Sequence, residues 1–571
     1  MEVSDMTDGI EPFGEGFVTA LAPEFVLVIG LFTLMIVPNL GDAKFRIPLT
    51  QVRIPWLFGG KRGTLDSDPR LPGIFASVFF VMAFILAVVS FIGGMETKTI
   101  ASGTNELLKV DEFSRLFELI FYGALALASI ASIDRLPATS RKDRSVSGLY
   151  NNRRQVDFYI LLMTCGLGMS VVALAQDMFL LFIGLELASF STYVLVAFMK
   201  ETKEGSEAGM KYFIVGSVAS GVGLYGLSLL YLWSGSLQFE ELSAHFNATG
   251  MDPLPLTALG MLLVGFGFKV SAAPFHFAAP DAYAGAPGPV AGVLATASKA
   301  MGIVGLLRIL LVVASPEGMD DATTVWLVAL AVLSVVTMTW GNLAALGSTN
   351  PKRMLAYSSV AHAGYMLAAI TAIGALNWEA DHADASRNAA LAVVTALMFH
   401  LVVLVCFKLG AFLVLSLLES ENGGHTLESL GGLVKREPFL AVAMFIFMMS
   451  LAGVPPLAGF LSKLLVVMGI VKAALLESGS GSITFSEIHW VWYLALIMVI
   501  NSAISVFYYL RVGLVMFFNE PEEGREGPLP NGTSIRFAIV ACVASTIYFG
   551  VGAGQLIALC ESAANALVGA W

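Results

Sequence analysis

Glu186, Lys211, Lys269, Lys299, Lys408 and Lys463 lie inside stretches that otherwise read as apolar, lipid-embedded helix. On insertion scales a charge near the centre of a membrane helix costs roughly 2.5–3.5 kcal/mol, so this set facing lipid would cost on the order of 15 kcal/mol. A polar interior has to solvate them, and the usual reason for one in a membrane is movement of ions or protons. An ammonium group stripped of water holds its proton less tightly than its ordinary value near 10.4 implies. These residues therefore predict proton exchange inside a channel-like subunit, with no catalytic residue and no metal ligand set.

Depth and neighbours give each position a reading. Lys269 falls about 22 Å along its span and Lys299, in ATASKAMG, about 18 Å along the next. Mid-span depth argues against a lysine that snorkels to the interface. Glu186 is the one acid in FLLFIGLELASFSTYVLVAF. It needs a cationic partner, and Lys269 is the candidate, either as a pair that opens and closes or as a static bridge. Lys211, in EAGMKYFIVG, lies near a span end where snorkelling competes. Lys463 follows a double proline. His400 and Lys408 are eight residues apart, hence within about 80° on one helix face, and a histidine with a pKa near 6.5 relays protons. His362 extends that line unless it is a hydrogen-bonded core histidine. His276 and Asp281, in PFHFAAPDAYAGAPGP, read as an ordered connection, and Glu24 as an acid near a span end.

The elements that hold these groups follow from composition. Of 571 residues, 57% are hydrophobic and 13% charged, against about 25% charged in soluble proteins. Apolar runs long enough for a core of about 30 Å recur near 17–38, 72–94, 113–132, 156–176, 177–198, 207–234, 254–277, 287–314, 324–347, 352–376, 388–418, 438–474, 490–518 and 533–558. The fold class is all-α and polytopic, about 14 transmembrane helices in a single membrane domain over 1–571. Its parts are three N-terminal helices (16–150), two five-helix units (155–315 and 324–518) and a last helix (533–558). Lysine and arginine concentrate in the loops after the first and third spans, with basic pairs after the fifth, ninth and eleventh. By the positive-inside rule those loops are cytoplasmic and both termini face outward. The acidic N-terminus lacks the basic region of a cleaved signal.

Two spans carry breaks. Pro274 follows Lys269 by five residues, and Gly453-Val454-Pro455-Pro456 interrupts the twelfth span, where a helix cannot continue. Broken helices survive at membrane depth only beside a cavity or under protein cover, and a pair of them in two halves marks a transporter site. The four cysteines form no CxxC or Cys/His cluster. There is no Walker A loop, dinucleotide fingerprint or accessible nucleophile–base triad, and nothing points to nucleic acid.

The string FKVSAAPFHFAAPDAYAGAPGPVAGVLATASKAMG (268–302) resembles the N-type subunits of the proton-pumping NADH:quinone oxidoreductase, respiratory complex I, in the antiporter-like family. LLFIGLELASFSTYVLVAF, KYFIVGSVASGVGLYG, PKRMLAYSSVAHAGYML and SLAGVPPLAGFLSKL resemble them too, in the expected order over roughly 155–515. The resemblance implies two inverted five-helix repeats, spans 4–8 and 9–13, with broken helices 7 and 12. It also implies proton-transfer roles for Glu186, Lys211, Lys269, Lys299 and Lys463. It places NADH, FMN, iron–sulfur clusters and quinone on partner subunits and none on this chain, which would sit among other complex I membrane subunits in the lipid bilayer of an energy-coupling bacterial membrane. HLVVLVCFKLGAF (400–412) departs from the N pattern and is closer to the L and M types, which carry His and Lys on this helix. The alternatives are a cation/proton antiporter subunit, working without redox input, and a non-conducting membrane scaffold.

Overall fold

The computed structural model describes residues 10–36, 44–46, 53–55, 70–93, 97–103, 105–134, 146–250, 252–313, 321–376, 383–419, 426–477, 489–521, 527, 529 and 532–569. The loop cations Lys61, Arg62, Arg135, Arg141, Lys142 and Arg144 lie outside the described residues. Twelve helices among the described residues are long and apolar enough to cross a membrane, with three shorter apolar helices beside them.

In chain order the helices used below are α1 (Ala22–Ile36), α2 (Leu71–Ile92), α3 (Glu112–Ser132), α4 (Val146–Leu174) and α5 (Met178–Val196). Next come α6 (Lys203–Ser234), α7 (Pro253–Val270), α8 (Gly288–Leu310), α9 (Asp321–Gly347), α10 (Pro351–Gly374) and α11 (Asp384–Glu419). The chain ends with α12 (Pro438–Ala452), α13 (Ala458–Glu477), α14 (Trp492–Phe518), α15 (Thr533–Val551) and α16 (Gly554–Val568).

The ends of these helices are written in the sequence. Asp177 caps α5, accepting from the N–H groups of Phe179 and Leu180 at 2.8 and 2.9 Å, which makes the tight turn between the fourth and fifth spans. Asn350 caps α10 at Arg353 N (3.1 Å), with Pro351 next in the chain. Between α4 and α5 the backbones close on each other at Gly168 and Gly184. A Cβ on Gly168 would stand 2.5 Å from the Ala188 nitrogen, so only glycine fits there.

Three features differ from the sequence expectation. The last apolar run divides into α15 and α16 around Gly552, whose neighbours Gly550 and Gly554 leave the backbone little to hold it helical. Antiparallel hairpins Lys98–Ser102/Asn105–Val110 and Lys44–Arg46/Arg53–Pro55 occupy connections of an otherwise helical chain. A helix at Phe239–Thr249 lies between α6 and α7.

Burial sorts the helices into a centre and a rim. The most apolar windows of α8 and α11 are 100% and 94% buried, against 33% for α2 and α6 and 28% for α15. With α10, buried along nearly its whole length, α8 and α11 form the axis of the molecule. On the rim, Val78, Met82, Ile85 and Val89 of α2 are exposed at helical spacing, the face a lipid-contacting helix presents. Lys299, His362, His400 and Lys408 lie on the three helices of the axis.

Candidate functional site

The site grows out of the two helix breaks. Helix α7 stops at Val270, and Ser271 turns the chain in the left-handed region (φ 61°). Helix α12 stops at Ala452, with Gly453 in the same region (φ 86°). A stopped helix leaves carbonyls without their intrahelical partners, and at membrane depth no water is at hand to satisfy them. Buried lysines do so at both breaks. Lys299 Nζ donates to Val270 O at 2.6 Å. Lys463 Nζ donates to Leu451 O at 2.8 Å, Ala452 O at 3.4 Å and Ser502 Oγ at 3.0 Å. A Cβ at Gly459 would overlap the Ser450 carbonyl, so glycine lets α13 pass the broken end of α12.

Lys269, in the last turn of α7, is buried and donates to Ser189 Oγ at 2.6 Å, with the Tyr193 ring centroid 5.7 Å from Nζ. Glu186, half-buried one turn before Ser189, accepts from Ser220 Oγ at 2.6 Å. The expected pair is thus close enough for electrostatic influence, yet no direct ion pair joins it. Each member is held by a serine. The carboxylate lies toward α6 while the ammonium points along α5.

Lys408 occupies a π-helical turn, Val405–Leu409, within α11. Such a turn adds a residue to the helical register and often marks a functional position. Lys408 is 1% exposed, and its Nζ has no hydrogen-bond partner among the described residues. The charged groups that act on it are Lys299 and Lys463, the two lysines that hold the broken helix ends.

His400 and His362 come together. His362 Nδ1 and His400 Nε2 are 3.0 Å apart, and His400 Nδ1 lies 3.1 Å from Ser462 Oγ, next in sequence to Lys463. Ser462 Oγ also donates to Gly459 O at 3.0 Å. With the serine hydrogen committed there, His400 donates through Nδ1 and accepts through Nε2 from His362. Turning the serine hydrogen to His400 reverses the polarity of both links. A wire with two such states is what proton relay between imidazoles requires.

Lys211 stands apart. Its side chain is 47% exposed and ion-paired to Glu207 and Asp281, both at 2.7 Å. Asp281 also binds Arg353. These groups border an open cleft of about 640 Å³ lined by Glu204, Asp281, Asn350, Arg353 and Tyr357 among others. Asp281, taken from sequence as part of a connection, thus joins Lys211 and Arg353 by ion pairs at this cleft. The buried Lys352, read from sequence only as a loop charge, pairs with Glu419 and donates to Ala286 O at 2.7 Å.

Sequence reasoning also missed the serines that hold the charges (Ser189, Ser220, Ser462, Ser502) and the buried Arg115 and Glu118, which Glu24, read from sequence as an acid near a span end, meets. The signal for the latter was present: Arg115 and Glu118 stand three apart in an apolar span, close to its edge.

The chain is similar to known proteins in sequence and in fold. The family described as NADH:quinone oxidoreductase/Mrp antiporter, transmembrane, matches residues 175–478. The NADH-quinone oxidoreductase subunit N of Heliobacterium modesticaldum is 36% identical over 493 residues, 86% of this chain and 92% of its own. A chain of respiratory complex I from Thermus thermophilus, solved with bound aureothin, is 29% identical, with 94% of this chain and 98% of that chain covered and a TM-score of 0.67. A chain of the Mrp complex from Dietzia sp. superposes with a TM-score of 0.74 over 96% and 98% of the two chains. At 19% identity it speaks to the fold alone.

Proposed function

The chain belongs to the NADH:quinone oxidoreductase/Mrp antiporter family of membrane subunits, and from that premise we propose that it is a proton-translocating N-type membrane subunit of an NADH-quinone oxidoreductase. It works among other membrane subunits of such a complex, and the redox groups (NADH, FMN, iron–sulfur clusters, quinone) belong to partners. Quinone reduction there drives proton transfer here. The chain has no redox chemistry of its own, and both termini face outward.

The proton path runs from Lys269, modulated by Glu186, to Lys299, then Lys408, then the His362–His400 pair, and leaves by Lys463. Lys211 and Asp281 tune the electrostatics of the cleft beside α6 and α10. The observation that carries this reading is that each broken helix ends on a carbonyl held by a buried lysine, and that both lysines act on the charge of Lys408, which is buried with no hydrogen-bond partner among the described residues. A lone partnerless ammonium is a poor structural tie, which favours a relay over a scaffold.

The test is Lys269→Ala in the assembled complex, with proton translocation measured per quinone reduced and assembly measured separately. Translocation should fall sharply with assembly intact. Full translocation from an assembled Lys269→Ala complex refutes the assignment.

A further inference from the structure

The N-terminal helices hold a second set of ionisable side chains, away from the lysine line. Glu24 on α1 meets Arg115, Glu118 and Tyr122 on α3 and Ser170 on α4. Glu24 Oε1 accepts from Tyr122 OH at 2.9 Å and from Ser170 Oγ at 2.7 Å. Arg115 Nη1 binds Glu118 and lies 3.7 Å from Glu24 Oε1, while its Nη2 donates to the Ala20 carbonyl. The side chains of Arg115 and Glu118 are 1% and 0% exposed. Two polar atoms sealed into the group, Glu24 Oε2 and Arg115 Nε, have no hydrogen-bond partner among the described residues.

Charge and hydrogen counting both leave this group one proton short. Two carboxylates face one guanidinium, and no other basic side chain touches them among the described residues. With both acids ionised, a sealed pocket would hold an uncompensated negative charge, which proteins avoid by protonation. The serine gives the same answer. Ser170 Oγ lies 2.7 Å from Glu24 Oε1 and 3.2 Å from Glu118 Oε1 but has a single hydrogen to give. If both carboxyls were ionised, the second contact would set lone pair against lone pair. A proton on Glu118 turns that contact into a donation to the serine. Two carboxyls this close hold one proton between them, as paired acids do.

We propose that Glu24 and Glu118 share one exchangeable proton, making this cluster a proton-binding site separate from the lysine line. The groups facing it are those of α1, α3 and α4 named above, and α2, α8, α11, α15 and α16, which also pack on α3, add no ion pair to it among the described residues. A metal cation does not fit, because Arg115 already fills the cation position between the acids. The proton enters by Glu24, whose side chain keeps 11% exposure, and is stored on the sealed Glu118 side.

Infrared difference spectroscopy of the assembled membrane complex reads this site without reference to pumping, so its failure and that of the lysine path are distinguishable. The wild type at neutral pH should show a protonated-carboxyl stretch that shifts in D2O. That band should vanish in Glu118→Gln and equally in Glu24→Gln, because either acid left alone with Arg115 ionises. Retention of the band in either variant overturns the shared proton, as does its absence from the wild type. Glutamine matches glutamate in shape, and should one variant fail to assemble, the other still decides.

Discussion

Lys408 is the residue for which stability and function are expected to respond in opposite directions. Its Nζ is buried without a hydrogen bond among the described residues, and an unpaired buried polar group costs about 1–3 kcal/mol even as a neutral amine. Methionine keeps an unbranched stem and removes the polar head. Lys408→Met should therefore leave the chain as stable as wild type or more stable by up to about 3 kcal/mol. Proton transfer should suffer, because the proposed path loses the lysine that follows Lys299. We expect at least a tenfold fall in pumping per complex, equivalent to about 1.4 kcal/mol on the slowest step. The assay is acidification of vesicles holding the complex, normalised to quinone turnover, beside thermal retention of assembly. Lys463→Met is the paired control. It strips donors from Leu451 O, Ala452 O and Ser502 Oγ, and each hydrogen bond from a charged group is worth about 1.5–3 kcal/mol, so that variant must lose stability as well. Full pumping by Lys408→Met takes this lysine off the path. Destabilisation equal to that of Lys463→Met shows that it has a partner, and either result refutes the reasoning.

His400→Gln should assemble normally, since an amide still bonds both His362 and Ser462, yet pump several-fold more slowly, because an amide does not exchange protons as an imidazole does. Wild-type rates in that variant would remove both histidines from the relay. Away from the path, Arg536 donates twice to Glu437, Nη1 to Oε2 at 3.0 Å and Nη2 to Oε1 at 2.9 Å. Those hydrogen bonds hold the Glu437 carboxyl below the usual carboxylate range, against the opposing effect of partial burial. A depressed folded pKa means this tie stabilises above the ordinary glutamate value near 4.3 and is lost as pH falls through the lower folded value. Melting of wild type from about pH 6 to about pH 3 should show that loss, worth about 1 kcal/mol at a part-exposed site. Glu437→Gln should flatten it, and an unchanged acid limb would clear Glu437 of any part.

How much was legible in the sequence depended on contrast with the background. A lysine in an apolar span breaks the pattern, so Lys269, Lys299, Lys408 and Lys463 stood out, and proline and glycine announced the breaks near Ser271 and Gly453. Serine breaks no pattern in a membrane helix. The sequence therefore suggested a direct Glu186–Lys269 pair, whereas Ser220 and Ser189 hold the two ends separately. The π turn at Val405–Leu409 was hidden for a related reason, since one extra residue in a turn leaves composition untouched. Arg115 and Glu118 were overlooked because an apolar run tolerates charges near its edge, and only packing shows them sealed. Asp281 sat among prolines and glycines that read as connection, and its link to Arg353 spans 72 residues.

The recurrence of lysine beside a broken helix has a backbone cause. A helix that stops inside the membrane leaves carbonyls that lipid cannot satisfy, and it presents the negative end of its dipole there. A long cationic side chain answers both needs, as Lys299 does at Val270 and Lys463 at Leu451 and Ala452. Arginine would answer them equally well but stays charged under all physiological conditions. Lysine alone combines the cap with a proton that desolvation makes removable. Each time such a proton leaves, the donor at the helix end weakens from a charged to a neutral one, and the hold on that end loosens. On the proposed path, proton transfer is thus tied to the geometry of two helix ends, through the same hydrogen bonds that make the breaks tolerable.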